Sequence, residues 1–172
     1  MILGILQLTH NATTLLFGVY LSAAFLGIVM KRSNILRLLG FSCATGLLYL
    51  GVFLFLGEAM TRELYPLIVH LPLILLLVLY YKYRPLVAAI SVLTAYLCCQ
   101  ISNWVGIAFL TLTHEQWCYY AIRIVVTVTV FLFLLLHVSD ATARLLEKPT
   151  ESLAILGIIP FVYYIFDYAT NV

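Results

Sequence analysis

With 65% hydrophobic residues, 9% charged residues and a mean hydropathy of +1.12, this 172-residue chain cannot wrap itself in a polar surface. Soluble domains carry roughly 25% charged residues, so a soluble catalytic domain is excluded, and the net charge of +2 is too small and too localised to suggest nucleic acid. At roughly 20 apolar residues per crossing, the length holds about six membrane-spanning helices and little else, which makes the expected fold an all-α polytopic membrane bundle.

The first span is expected over residues 9–30. Met1–His10 lacks a basic leader and a small-residue cleavage site, so this is a retained span and not a signal peptide. A basic turn (Lys31, Arg32, Arg37) leads into the second span, 36–57, and a turn with Glu58, Arg62 and Glu63 leads into the third, 64–81. Lys82 and Arg84 mark the next turn, and Pro85 suits the first position of span four, 86–102. Residues 103–116 carry Trp104, Phe109 and Leu112, edged by Thr111, Thr113, His114 and Glu115, and are expected to form a short interfacial helix. Span five follows at 117–138, then a polar turn with Arg144, Lys148 and Pro149, and span six at 153–170.

Seven of the nine Lys and Arg residues thus fall on alternate turns. Short basic loops stay cytoplasmic, so the N-terminus is expected outside, in a multi-pass protein of the cell membrane. Tyr80, Tyr81 and Tyr83 at one level, and Trp104, Trp117, Tyr119 and Tyr120 at the other, read as aromatic belts that anchor the helices in the lipid bilayer. His10 and His114 are placed at the outer surface. Small residues four apart (Gly18/Ser22, Ala23/Gly27, Gly40/Ala44, Ser42/Gly46) favour close helix packing, with a homodimer interface as the alternative.

Polar side chains at membrane depth are costly and point to function. His70, Gln100, Arg123 and Asp167 come from four spans at similar depth, and Arg123 and Asp167 are expected to pair. With Tyr96 and Tyr164 as walls, they define a candidate ligand site. Pro66 and Pro72 flank His70 and act as hinge positions, because proline frees a backbone carbonyl that must lie against protein or a wet cavity. No metal or cofactor site is expected. The cysteines lie in apolar surroundings that make Cys98 and Cys99 poor nucleophiles, and no HExxH, phosphate-binding glycine loop or paired catalytic carboxylates appear, so the chain is not read as an enzyme.

Three segments carry a resemblance: Tyr65-Pro-Leu-Ile-Val-His70-Leu-Pro72 with Tyr80-Tyr-Lys82, then Leu93-Thr-Ala-Tyr-Leu-Cys-Cys-Gln100, and Ile159-Pro-Phe-Val-Tyr-Tyr-Ile-Phe-Asp167-Tyr-Ala-Thr170. In this order they resemble the amino-terminal membrane region of Gram-positive sensor histidine kinases with a GHKL-type ATP-binding domain, a layout related to quorum-sensing peptide receptors. The likeness covers roughly residues 60–170. It implies an outward-facing bundle in the bacterial plasma membrane that senses an extracellular ligand, a peptide or small molecule, and relays the signal to a cytoplasmic kinase domain. This sequence carries no phosphoacceptor helix and no ATP box of that family. It is therefore expected to be the sensory input portion of such a two-component receptor, or a relative without the kinase. The alternatives are a six-span substrate-binding subunit of an importer and a structural membrane subunit.

Overall fold

The computed structural model describes residues 2–171 of the chain, with side chains at all of these except 58 and 171. Among the described residues the fold is all-helical, without strands, and six helices are long and apolar enough to cross a membrane. Large apolar side chains such as Leu47, Leu54, Phe55, Ile155, Ile159 and Phe166 are exposed on the outside of the bundle, as expected for a multi-pass membrane protein whose outer faces meet lipid.

Helix α1 spans Ile2–Phe25 and so starts well before the expected residue 9. The hydroxyls of Thr9 and Thr13 donate to the carbonyls of Ile5 and Thr9 at 2.8 and 2.7 Å, which absorbs their polarity inside the helix instead of breaking it. Gly27, at φ +70°, ends the segment. Backbone hydrogen bonding then runs from Arg32 to Tyr65, but Gly57 sits at φ 81°, ψ 177°, a conformation open to glycine alone. That residue divides the run into α2, Arg32–Gly57, and α3, Ala59–Tyr80.

Helix α3 is not a regular α-helix. Pro66–His70 and Leu76–Tyr80 are wound as π-helix around a short α segment, Leu71–Leu75. Both prolines expected to act as hinges fall in this distorted part: Pro66 opens the first π segment, and Pro72 lies just past its end. π-Turns widen a helix locally and recur at functional positions.

Helix α4 runs unbroken over Pro85–Thr113 and overturns the separate interfacial helix expected at 103–116. Its polar residues do not stop it, because Ser102, Thr111 and Thr113 return their hydroxyls to the carbonyls of Cys99, Ala108 and Phe109. The break comes only at His114, which is left-handed at φ 56° and donates its N–H to Leu110 O at 2.8 Å. At 29 residues, α4 is about 43 Å long against a hydrocarbon core of about 30 Å, so it must tilt or stand clear of the lipid. Helix α5 follows at Gln116–His137, then the short α6 at Ser139–Leu146, and α7 at Thr150–Asn171.

The centre of the bundle is α4, which packs on α1, α5 and α7, while α1 also packs closely on α5. Leu21 and Phe25 of α1, Leu73 and Leu77 of α3, Ala88 and Ala95 of α4 and Leu153 of α7 fill the interior. Ser91 of α4 donates to the backbone carbonyl of Ser22 in α1 at 2.7 Å, a contact that the small residue at 22 makes room for. Gly157 lets α7 approach α4 closely, since a Cβ there would lie 2.9 Å from Ile90 Cγ1.

The three basic turns share one end of the bundle. Tyr83 donates to Leu26 O at 2.7 Å, Arg84 bonds Thr150 Oγ1, and a Cβ on Gly27 would lie 3.5 Å from Ala143 Cβ. Burial and the neighbouring Glu147 carboxylate both raise the pKa of Tyr83, so its phenol stays a donor in this contact. At the opposite end, the first turn of α1 lies beside the α4–α5 turn, and Ile2, Leu3, His114, Glu115, Gln116 and Trp117 line an open groove there.

Candidate functional site

Four of the six expected ligand-site residues come together between α3, α4 and α7. His70 is 8% exposed, and its Nδ1 lies 2.9 Å from the Tyr164 hydroxyl across 94 residues of sequence. Tyr96 donates its hydroxyl to a carboxyl oxygen of Asp167. Ring contacts join the two pairs. His70 lies edge-on to Tyr96 at 5.2 Å between centroids, and Tyr96 lies edge-on to Tyr164 at 5.1 Å.

Two further rings complete the cluster, and neither is among the site residues read from sequence. Tyr65 meets His70 edge-on at 5.0 Å, and Tyr168 packs at a tilt against Tyr164 at 4.9 Å. The spacing of Tyr65 and His70 is five residues. A regular α-helix would carry these side chains well apart around its circumference, whereas the π-turn at Pro66–His70 brings position i+5 back over i. Irregular helix geometry therefore builds part of this site, which is why periodicity did not reveal it.

Gln100 and Arg123 belong to a different set of contacts. Asn103 donates to Gln100 Oε1 at 3.4 Å, Tyr119 donates to Asn103 Oδ1 at 3.3 Å, and Arg123 Nη1 donates to the Tyr119 hydroxyl at 2.5 Å. The guanidinium also lies over the Tyr119 ring, 4.9 Å from its centroid. The ion pair expected between Arg123 and Asp167 is thus replaced by two separate arrangements. Helices α5 and α7, which carry these residues, each pack chiefly on α4.

Tyr119 and Tyr120 are also more than belt anchors. Tyr120 faces the ring of His10, which is 4% exposed and so buried within the bundle instead of lying at its surface. Gly106 makes this side of the bundle possible: a Cβ there would lie 2.5 Å from Arg123 Cγ and 2.8 Å from Cδ, so the arginine stem rests directly on the α4 backbone.

No protein family, no curated protein and no solved structure matches this chain. The reading of its function therefore rests on the residues themselves.

Proposed function

We propose that this bundle is a membrane-embedded sensory domain, in which an extracellular peptide or small molecule acts on the tyrosine–histidine cluster between α3, α4 and α7. One observation carries the reading. His70 holds Tyr164 of the last helix from within a π-wound, proline-bearing segment, so any change in α3 winding moves α7. A ligand that favours one winding over the other shifts the balance between them. The basic end of the bundle, with α6 and the start of α7, then faces the cytoplasm and hands the change to the signalling machinery, in the manner of the sensor kinases that the sequence resembles.

His70→Ala and Pro72→Leu test this reading. Both variants should insert and accumulate normally yet alter the dose–response of the signalling system in its own cell. An unchanged response from both defeats the proposal. The gene downstream of the Val172 codon separates the sensor from its rival. A reading frame continuing into a further span and an ATP-binding domain supports the sensor, and a stop codon beside transporter ATPase genes favours an importer subunit.

The orientation is tested by thiol labelling in a background without native cysteines. Cysteines at Ser33 and Glu147 should resist an impermeant reagent in intact cells, and cysteines at Glu63 and Thr113 should react; all four positions are exposed. The reverse pattern turns the protein round in the membrane and places the cluster's ligand on the cytoplasmic side.

A further inference from the structure

A second buried polar region lies on the other side of α4, between α1 and α5, and nothing in the sensory reading uses it. Four side-chain atoms here are shut off from solvent without a well-formed hydrogen bond: His10 Nδ1 and Thr14 Oγ1 of α1, the latter beside the Cys99 thiol of α4, and Arg123 Nε and Thr127 Oγ1 of α5. Within each pair the residues are one helical turn apart and so share a face of their helix, and the two helices, α1 and α5, are closely packed. Native proteins rarely leave buried polar atoms unsatisfied, and four at one interface mark a place where something else binds.

The chemistry of the four atoms says what. A guanidinium is a fixed positive charge with five donors and no acceptor, so whatever meets Nε must accept. Two threonine hydroxyls and an imidazole nitrogen can all donate as well. Arg123 has a phenol and an aromatic face as partners but no carboxylate within ion-pair distance among the described residues, and a charge at membrane depth without a counter-charge is costly. The Arg123 stem rests on Gly106 of α4, and His10 of α1 meets the ring of Tyr120 on α5, so α1, α4 and α5 meet in this region.

We propose that the interface of α1, α4 and α5 binds an anion, a halide, a small carboxylate or a phosphate group, held by Arg123, His10, Thr14 and Thr127 as the missing counter-charge. The site lies about 10–18 Å down from the starts of α1 and α5. Above it, between those same two helix starts, is the open groove lined by Ile2, Leu3 and the residues from His114 to Trp117. Anion binding here is independent of the tyrosine–histidine cluster and stands whether or not that cluster binds a ligand.

Thermal unfolding of the purified protein in phosphatidylcholine nanodiscs tests the site, with sodium chloride and sodium acetate titrated separately. The midpoint should rise by several degrees and saturate in the parent, and the rise should vanish in Arg123→Gln, since general salt effects are common to both proteins. Thr127→Val keeps the charge and removes one contact, so it should shift the titration to several-fold higher concentration. It also serves where Arg123→Gln does not accumulate. A parent midpoint that responds to neither salt but rises when phosphatidylglycerol is added, again only with Arg123 present, assigns the anion to a lipid headgroup. A parent as stable without salt or anionic lipid as with either overturns the proposal, and water then fills the four places.

Discussion

Gly106→Ala should destabilise the bundle by about 1–3 kcal/mol, the usual cost of forcing an extra carbon into a packed interior. The new Cβ would fall 2.5 Å from Cγ and 2.8 Å from Cδ of Arg123 and 3.2 Å from Tyr119 Cδ2. These stem atoms cannot swing aside like the tip of a long side chain. The stem has to leave α4, and the guanidinium then loses either the Tyr119 hydroxyl or its place between α1 and α5. Intrinsic helix preference works the other way, because alanine is better than glycine by about 1 kcal/mol in a helix interior. Gly18→Ala supplies the comparison: nothing lies within 4 Å of its Cβ position, so the propensity gain should appear there undiminished. Reversible unfolding in mixed micelles measures both. If the two variants are equally stable, Arg123 does not lie against α4.

Removing both members of the Tyr96–Asp167 pair should cost less than the two single removals added together. Interhelical hydrogen bonds in membranes are worth on average about 0.6 kcal/mol and at most about 1.7, because the separated helices also find partners in the bilayer. A carboxyl acceptor inside an aromatic cluster belongs at the upper end of that range, so a coupling of about 1–2 kcal/mol is expected between Tyr96→Phe and Asp167→Asn. Single removal of the carboxyl group also strands a buried phenol, which adds to the loss in Asp167→Ala. Zero coupling in the cycle would mean that the hydroxyl and the carboxyl group do not meet in the membrane.

The arrangement of spans was readable from sequence because two independent signals agree. Apolar runs of membrane length alternate with basic turns, and the structure gathers those turns at one end through Tyr83–Leu26 and Arg84–Thr150. Helix ends were read less well. Thr9, Thr111 and Thr113 look like surface residues in a string of letters, but each is silenced by its own helix backbone. At the candidate site, residue type and depth were enough to single out His70, Tyr96, Tyr164 and Asp167. They were not enough to pair them, because pairing depends on which helices are neighbours. Arg123 and Asp167 have matching charges and depth, yet each is claimed by a tyrosine on its own side of α4. Tyr65 was hidden for a different reason, since its contact with His70 exists only in a π-turn.

The central position of α4 also sets an order of events during synthesis. Helix α1 is made before its principal partners, α4 and α5, and Arg123 is made 113 residues after His10. At about 5–20 residues per second, the ribosome takes on the order of ten seconds to cover that distance. Throughout that interval His10 and Thr14 sit on a young helix whose neighbours α4 and α5 are not yet complete. An insertase or chaperone that shelters polar transmembrane helices has its clearest client here, and cells depleted of it should lose this protein at the stage when only the first helices have been made.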